Sequence, residues 1–243
     1  MTLEKAAGII PARYGATRFP GKPLASILGK PMIQWVYEGA KTSKLLKRII
    51  IATDDQRIVK AADKFGAEAV MTLTDHASGT ERVAEAAAQV EAEIIVNIQG
   101  DEPLVGGEML DALIIALDDP SISMATLMAK VTDLALLQDS HTVKVVTDKN
   151  GFALYFSRSP LPYQAPDHFF QHIGIYGYRR DFLMNFHRLP VSRLERIEKL
   201  EQLRVLENGM PIQMIEIPRP TLSVDTPQDI IKVEKFLRMR THE

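Results

Sequence analysis

The chain has 243 residues, 46% of them hydrophobic, which is enough for one large α/β domain with a well-buried core. Its 29 basic and 31 acidic residues give a net charge of -2, which does not indicate a surface that binds the nucleic-acid backbone. Cysteine is absent, which excludes disulfides, thiolate catalysis and cysteine zinc sites. The first apolar run is too short for a signal peptide, and no stretch approaches the ~20 apolar residues of a membrane span. We therefore expect a cytoplasmic protein with no membrane or nucleic-acid partner.

Up to about residue 120, short β-branched runs alternate with longer amphipathic segments. This alternation predicts an α/β fold, with helices flanking a mostly parallel central sheet. The predicted strands are Ala7–Ile10, Arg48–Ala52, Ala69–Met71 and Ile94–Ile98, and the predicted helices are Met32–Lys41, Gln56–Phe65, Thr80–Glu91 and Glu108–Leu117. Ligands of open α/β sheets bind beyond the carboxyl ends of the strands, so we expect the loops after these four strands to face one crevice.

From Ser123 onward the pattern changes to longer, partly antiparallel strands, carried by SMATLMAK, TVKVVTDKNGFALYF and HIGIYGYRR. Residues Asp148–Gly151 are a plausible hairpin turn between two of them. The β-rich region at about 123–190 is predicted to be a smaller subdomain or a dimerisation surface.

Two helices are predicted after the β-rich region. One is Leu194–Glu207, with a stop signal at Asn208 and Gly209, and the other is Thr226–Arg238, capped by Asp225 or Thr226. No repeat, low-complexity segment or clear linker divides the chain, so a single domain over residues 1–243 is predicted.

The loop after the first predicted strand, PARYGATRFPGKPL, is rich in glycine, proline and positive charge. It places Arg13, Arg18 and Lys22 on one segment, where Gly15 and Gly21 allow the backbone to approach a ligand closely. Three cations at one strand end suit a triphosphate, although the glycine spacings of the P-loop and of the dinucleotide fingerprint are absent. A solvated basic loop is the alternative, and the position directly after the first strand favours phosphate binding.

An acidic turn follows the fourth predicted strand. In NIQGDEP, Gly100 permits a tight turn, and Asp101 and Glu102 stand at the carboxyl end of the strand. Magnesium in nucleotide sites is held by one or two carboxylates with phosphate oxygens and waters, so one aspartate can start such a site. Taken alone, an Asp-Glu-Pro turn is more often structural. Asp225 in SVDTPQD is a second candidate, or a helix cap, and spacing does not show that it meets Asp101.

Eight segments occur in an order that resembles one family: IPARYGATRFPGKPL, IIIATDD, SGTERVAEA, VNIQGDEP, ALYFSRSPLPY, HIGIYGYRRDFL, LERIEKLEQLRVLENG and SVDTPQD. They are similar to those of the 3-deoxy-manno-octulosonate (Kdo) cytidylyltransferases, the CMP-Kdo synthetases. The resemblance covers about residues 9 to 235. It implies a nucleotide-diphospho-sugar transferase-like fold, a homodimer formed through the β-rich region, and transfer of CMP from CTP to Kdo for lipopolysaccharide biosynthesis.

The resemblance also implies roles for individual residues. The phosphates of CTP would be contacted by Arg13, Arg18 and Lys22, of which Arg13 and Lys22 are also catalytic. The cytosine would be selected by Ser78 and by the backbone near Ala52 and Thr72, and Mg²⁺ would be coordinated by the two catalytic aspartates, Asp101 and Asp225. Gln99 would lie beside the nucleotide and the sugar acid, and the sugar pocket would be lined by Arg158, His172, Tyr176, Glu201 and Gln202.

The sugar-pocket residues have plainer interpretations without the resemblance. His172 and Tyr176 are four residues apart in a strand pattern and so share a face, where an aromatic is usually core and a lone histidine is usually a hydrogen-bonded structural residue. Arg158 follows the apolar run ALYF, and an arginine at a strand end often extends to solvent. Glu201 and Gln202 lie in a charged helix whose plain interpretation is a solvated face.

One residue departs from the family pattern: Ala16 stands where family members commonly have serine, so a hydroxyl that could touch a phosphate is missing. We expect weaker or differently tuned nucleotide binding and no change of activity class. The alternatives to Kdo are 8-amino-Kdo and another acidic sugar such as a sialic acid. A metal-dependent glycosyltransferase and a nucleotide sensor without catalysis are rivals from other classes.

Overall fold

The structure is a computed structural model that describes residues 4–15, 19–76, 78–165 and 167–240. It divides into two units, one formed within Met1–Asp111 and Thr221–Glu243 and the other by Ala112–Pro220. That the two units work as one nucleotidyltransferase domain stays a prediction.

The elements of the first half of the chain alternate as the sequence predicts. In chain order they are β1 (Glu4–Ala12), β2 (Ser26–Ile27), β3 (Lys30–Pro31), α1 (Met32–Ala40), β4 (Arg48–Thr53), α2 (Gln56–Lys64), β5 (Glu68–Met71), α3 (Gly79–Ala87), β6 (Ala92–Asn97) and α4 (Gly107–Ala116). A short 3₁₀ helix, Lys22–Leu24, lies between β1 and β2.

Four parallel strands form the sheet of the first unit, in the order β6, β1, β4, β5. The last four residues of β4 and of β6 are all buried, as expected of strands covered on both faces. Helices α1 and α3 pack against β1, and α2 packs against β4 and β5. The predicted α/β fold with a mostly parallel sheet is confirmed.

Element boundaries differ from the prediction most at β1 and α3. β1 extends from Glu4 to Ala12, beyond the predicted Ala7–Ile10, because its whole length pairs with β4 or β6. α3 ends at Ala87 instead of Glu91, since the chain must turn before β6 begins at Ala92.

The second unit is rich in strands, as predicted for about residues 123–190, and it extends beyond that range. Its elements are β7 (Met124–Val131), β8 (Lys144–Thr147), β9 (Ala153–Ser157), β10 (Phe169–Arg179), α5 (Arg180–Asn185), α6 (Arg193–Glu198), α7 (Gln202–Glu207) and β11 (Gln213–Ile217). β10 pairs antiparallel with β7 and β8, β8 pairs antiparallel with β9, and β11 lies parallel to β7. The predicted turn is present, because Asp148 N–H donates to the carbonyl of Phe152 and Gly151 N–H donates to that of Asp148, at 2.8 and 3.2 Å.

The single helix predicted at Leu194–Glu207 is wrong, since the structure has two helices there. α6 ends at Glu198, and Lys199 adopts a left-handed conformation with φ of 54°. Leu200, which follows this break, is buried, and α7 begins at Gln202. Pattern alone missed it because the left-handed residue is a lysine and not the usual glycine or asparagine.

The C-terminal helix returns to the first unit. Helix α8 (Pro227–Arg240) contributes Val233 to a small apolar core with Ile27, Met32 and Val224. This packing holds the segment before α8, which carries Asp225, within the same unit as β1 and β6.

Candidate functional site

The loop after β1 folds back on itself so that Lys22 comes near the end of the strand. Gly21 N–H donates to the carbonyl of Tyr14 at 2.8 Å, and Gly21 has a φ of 72°. This left-handed conformation favours glycine, and a Cβ at Gly21 would also lie 3.2 Å from the ring of Tyr14, which would have to shift. Arg18, which was predicted to contact the phosphates, and Ala16 lie outside the described residues.

Lys22 joins the two aspartates that the resemblance assigns to the metal. Its Nζ lies 2.7 Å from Oδ2 of Asp101 and 3.4 Å from Oδ1 of Asp225, and it also donates to the carbonyl of Val224 at 2.9 Å. The aspartates are far apart in sequence, yet both carboxylates face one positive group. Lys22 is therefore an element of the acidic centre as well as a candidate phosphate ligand.

The donor set at this centre suits a hard divalent cation. Two carboxylates converge on the point that the ammonium group fills, and carboxylate oxygens are the ligands that Mg²⁺ prefers. Across residues 4–15, 19–76, 78–165 and 167–240, no group of three or more histidine, aspartate or glutamate side chains is arranged to hold a metal. Magnesium in nucleotide sites usually takes its remaining ligands from phosphate oxygens and water.

Glu102 lies beside the centre and is buried. Burial, together with the negative charge of Asp101, raises the pKa of Glu102 to about 8, and a hydrogen bond from the side chain of Thr221 opposes the rise. At neutral pH this carboxyl is therefore mostly protonated. Sequence reasoning placed Glu102 at the strand end with Asp101 but assigned it no role.

Asp225 is positioned by the first turn of α8. The backbone N–H groups of Asp225 and Thr226 donate to Oδ2 of Asp229 at 3.2 and 2.9 Å. The carboxylate of Asp229, in the first turn of α8, therefore holds the backbone just before the helix, where a negative charge is favourable. Burial opposes ionisation of Asp229, but hydrogen bonds from Lys232, Thr226 and the Asp225 backbone lower its pKa to about 2.

The acidic centre opens into a cavity of about 350 Å³. Its walls come from the ends of β1 and β6, the loop after β1, the start of α3 and the segment before α8: Pro11, Ala12, Arg13, Phe19, Lys22, Pro23, His76, Ser78, Gly79, Arg82, Gln99, Gly100, Asp101 and Asp225. The structure thus brings the predicted Arg13, Lys22, Ser78 and Gln99 together with both aspartates. The predicted Ala52 and Thr72 do not line this cavity in the described part of the chain: Ala52 is buried in β4, and Thr72 follows β5.

Gly100 allows the acidic turn to lie against β1. A Cβ at this position would be 2.7 Å from the carbonyl oxygen of Pro11, a distance that only glycine avoids. The tight turn predicted at Gly100 therefore also brings the segment that carries Asp101 close to the end of β1.

Ser78 and Arg82 at the start of α3 fix the loop after β5. The Ser78 side chain accepts from Glu81 N–H and caps the helix. The buried guanidinium of Arg82 donates to the hydroxyl of Thr72, to the carbonyl of Leu73 at 3.1 Å, and to Asp54 at 2.9 Å. Arg82 therefore ties the predicted base-contacting loop to the end of β4.

His76 occupies another part of the cavity wall and pairs with Glu85 of α3. Burial raises the pKa of Glu85, but hydrogen bonds from His76 and from the N–H of Leu73 outweigh burial and hold this pKa below its usual value. Both ends of the loop between β5 and α3 are thus anchored to α3 by charged side chains.

In the second unit, three of the predicted sugar residues are in contact. His172 Nε2 lies 3.0 Å from Thr126 Oγ1, and its Nδ1 lies 3.5 Å from Gln202 Nε2. The hydroxyl of Tyr176 donates to Gln202 Oε1 at 3.4 Å, and the rings of His172 and Tyr176 are 5.5 Å apart. Burial lowers the pKa of His172 to about 3, so its ring is neutral.

Tyr176 and Glu201 are electrostatically coupled in this cluster. Burial, with the nearby negative charge of Glu201, raises the pKa of the Tyr176 hydroxyl far above its usual range. The hydroxyl therefore remains a hydrogen-bond donor at any physiological pH.

Arg158 does not join this cluster. Its guanidinium donates to the backbone carbonyls of Glu198 and Ser140 at 2.8 and 3.0 Å, and its own carbonyl accepts from the buried ammonium of Lys144 at 2.6 Å. These contacts fix the turn after β9, and a contact of Arg158 with a sugar acid stays a prediction.

Comparison with known proteins agrees with the resemblance noted in the sequence. A cytidylyltransferase family model matches residues 7–214. The chain is 50% identical to a 3-deoxy-manno-octulosonate cytidylyltransferase of Syntrophotalea carbinolica, over 95% of this chain and 97% of that protein. It belongs to the 3-deoxy-manno-octulosonate cytidylyltransferase family. A family member from Solibacter usitatus is 49% identical, over 97% of this chain and 95% of its own length.

A solved structure supports the same membership of the Kdo cytidylyltransferase family. The structure of CMP:2-keto-3-deoxy-manno-octonic acid synthetase complexed with CTP is 44% identical to this chain, with a TM-score of 0.92. The alignment covers 97% of this chain and 99% of that one.

Some site residues of this Kdo cytidylyltransferase family member were missed by sequence reasoning, chiefly Arg82 and His76. The sequence did contain a sign that Arg82 is buried, because Arg82 lies on the face of α3 that also carries the buried Val83 and Ala86. A charged residue on a buried helix face needs a partner, and the aspartates after β4 are candidates.

No helix in the described part of the chain is both long and apolar enough to span a membrane.

Proposed function

We propose that the protein transfers CMP from CTP to the anomeric hydroxyl of Kdo, giving CMP-Kdo and pyrophosphate, and so activates the sugar for lipopolysaccharide biosynthesis. The observation that carries this proposal is the convergence of Lys22, Asp101 and Asp225 at a cavity formed by the ends of β1 and β6 in a member of this family. Such an arrangement offers both negative ligands for a cation and a positive group for phosphate.

Arg13 and Lys22 bind the phosphates in this proposal, with Arg18 as a third cation on the same loop. Cations aimed at the β- and γ-phosphates stabilise the negative charge that accumulates on departing pyrophosphate. They act by position and charge, and no covalent intermediate is required.

Asp101 and Asp225 hold Mg²⁺ in this proposal, since their carboxylates already face one cationic point. When bound, Mg²⁺ would lower the pKa of the attacking hydroxyl and offset charge on the α-phosphoryl oxygens. The hydrogen bonds from Val224 to Asp101 and from Asp225 to Asp229 keep the two carboxylates in place.

The base-recognition roles of Ser78, Thr72 and Ala52 are also proposals. Ser78 lines the cavity, and its oxygen is already engaged as a helix cap. Thr72 is bound through its hydroxyl to Arg82, so its backbone groups are held at a fixed position after β5. Fixed backbone groups suit the recognition of a base edge, because they need no reorganisation on binding.

The second unit supplies the cluster that suits a sugar acid. His172, Tyr176 and Gln202 bring neutral donors and acceptors together in one largely buried cluster, with Glu201 adjacent. Such groups match the several hydroxyls of an eight-carbon sugar. Arg158 and Gln99 are proposed as further contacts of the sugar acid, as the resemblance implies.

Homodimer formation through the β-rich region and a cytoplasmic location complete the proposal. Two-fold dimers are the commonest symmetric assembly, and light scattering measures the mass directly. A monomeric mass across micromolar concentrations would contradict the dimer.

The experiment that tests the function measures pyrophosphate release with Mg²⁺, each of the four common nucleoside triphosphates, and Kdo, 8-amino-Kdo or sialic acid. Product masses are recorded for each combination. Release confined to CTP with Kdo, with a product of the mass of CMP-Kdo, is the expected result. Preference for 8-amino-Kdo or sialic acid would keep the chemistry and replace the substrate, and release with none of the acids would contradict the proposal.

A further inference from the structure

Tyr14 joins the two sides of the loop after β1. It directly follows Arg13 in the chain, and its carbonyl accepts from the N–H of Gly21 at 2.8 Å, one residue before Lys22. Arg13 is thus connected to Tyr14 by a peptide bond, and Lys22 is connected to it through the hydrogen-bonded Gly21. A contact that fixes Tyr14 therefore helps to fix the backbone of Arg13 and Lys22 relative to each other.

The side chain of Tyr14 has two close neighbours. Cζ of Arg57 lies 3.3 Å from the centroid of the ring, so the guanidinium group stacks on the ring face. The backbone of Gly21 lies near the hydroxyl end of the same ring, because a Cβ there would be 3.2 Å from the hydroxyl oxygen. Stacking of a guanidinium on an aromatic ring is favourable, since the ring face is negative. The stack therefore holds Tyr14 from the side of α2.

Arg57 is itself held in this position by Asp55. The guanidinium Nε donates to Oδ1 of Asp55 at 2.9 Å, and Nη2 donates to Oδ2 at 2.6 Å. The same Oδ1 accepts from the backbone N–H of Arg57 at 2.8 Å and so caps α2. A two-point ion pair of this kind fixes the plane of a guanidinium group. The loop after β4 therefore orients the group that stacks on the loop after β1.

The contacts of Arg57 contribute little to folding stability. Its side chain is 59% exposed, and ion pairs of exposed side chains add little to the free energy of unfolding. Arg57 and Tyr14 both belong to the described part of the chain, and neither is among the residues that line the cavity. The stack therefore lies behind the cationic loop and reaches a bound nucleotide only through that loop.

We propose that Arg57 is a positioning residue that, by stacking on Tyr14, holds Arg13 and Lys22 at the spacing that binds the triphosphate of CTP. The inference rests on the proposed binding of the CTP phosphates by Arg13 and Lys22. A loop that is held in its binding conformation loses less conformational entropy when the ligand binds. Removal of the stack should therefore weaken the binding of CTP and leave the binding of the sugar acid unchanged.

Four variants separate stacking from charge. Arg57→Met keeps an unbranched side chain and removes the guanidinium, and Tyr14→Leu removes the ring. Tyr14→Phe is the conservative variant, since it keeps the ring face. Lys60→Met is the matched control for charge, because it removes one positive charge from an exposed residue one turn further along α2. Isothermal titration calorimetry at a fixed Mg²⁺ concentration gives the Kd of CTP, and pyrophosphate release gives kcat and both KM values.

We expect Arg57→Met and Tyr14→Leu each to raise the Kd of CTP about three- to fivefold, the range of a cation–π contact at an exposed site. The KM for CTP should rise by the same factor, while kcat and the KM for Kdo change by less than about twofold, as expected when only nucleotide binding is lost. Tyr14→Phe and Lys60→Met should stay within about 1.5-fold of the original protein, because both keep the stack.

The double variant of Arg57→Met and Tyr14→Leu decides between stacking and long-range attraction of the phosphates. If stacking is the cause, the double variant binds CTP no more weakly than the worse single variant, because both substitutions remove the same contact. Losses that multiply in the double variant, a normal Kd in Arg57→Met, or equal losses in Arg57→Met and Lys60→Met would each overturn the inference. Should Tyr14→Leu fail to fold, Arg57→Met and its comparison with Lys60→Met test the same stack from α2.

The unaltered protein in the same experiment distinguishes this inference from the proposed function. If it binds CTP but forms no CMP-sugar, the proposed function fails, and the Kd values of the variants still decide whether Arg57 positions the loop. If it forms CMP-Kdo and Arg57→Met binds CTP as the original protein does, only the positioning role fails.

Discussion

Replacing His172 by glutamine should change how the stability of the protein depends on pH. The ring is buried, and its pKa is about 3 in the folded protein against 6.5 for an accessible histidine. Because the folded pKa is depressed, the unfolded chain binds a proton below about pH 6.5 that the folded protein does not bind. The stability associated with His172 is therefore complete above pH 6.5 and is lost as the pH falls towards 3.

The size of the effect follows from the two pKa values. At pH 5.5, one unit below the pKa of the unfolded chain, the loss is about 1.4 kcal/mol, and at pH 4.5 it is about 2.7 kcal/mol. His172→Gln cannot take up a proton, so its free energy of unfolding should fall less over the same range. The free energy of unfolding of the original protein minus that of His172→Gln should therefore fall by these amounts between pH 7.5 and the two lower pH values.

Urea unfolding at pH 7.5, 5.5 and 4.5 measures the difference directly. His187→Gln serves as the matched control, because that side chain is exposed and folding does not remove it from water. A difference between His172→Gln and the original protein that stays constant from pH 7.5 to 4.5 would refute the argument. A constant difference would mean that the ring accepts a proton in the folded state, so that it could not be a fixed neutral donor in the proposed sugar site.

Three further predictions concern the first unit. Asp101→Asn should lower turnover by about 10²-fold or more in the pyrophosphate assay while leaving the circular dichroism spectrum unchanged, and near-normal turnover would contradict the metal assignment. Arg82→Met should lower the free energy of unfolding by roughly 3 kcal/mol, measured in urea, because it leaves Asp54 without its buried partner. Ser78→Ala should cost about 1 kcal/mol in the same measurement through loss of the α3 cap, and an unchanged midpoint would show that the cap adds nothing.

The sequence predicted the fold well where the pattern is local. Each strand of the parallel sheet was found because buried apolar runs alternate with amphipathic helices. The break at Lys199 was not found, since a lysine gives no local sign of a left-handed conformation. The convergence of Lys22 with Asp101 and Asp225 also lay beyond spacing alone, because these residues are brought together by the order of the strands and by the return of α8.

Family resemblance and structure supply different parts of the site. The resemblance named residues that would touch substrate, most of which lie on loops at strand ends, and it said nothing about what holds those loops. The structure shows that polar side chains do so: the buried Arg82 fixes the loop after β5, and Asp229 accepts from the N–H groups of Asp225 and Thr226. An irregular loop can hold a catalytic geometry only if its polar backbone and side chains have fixed partners. A charged residue at a position that the apolar pattern predicts to be buried is therefore a candidate support for such a loop. Residues of this kind can be identified from the sequence.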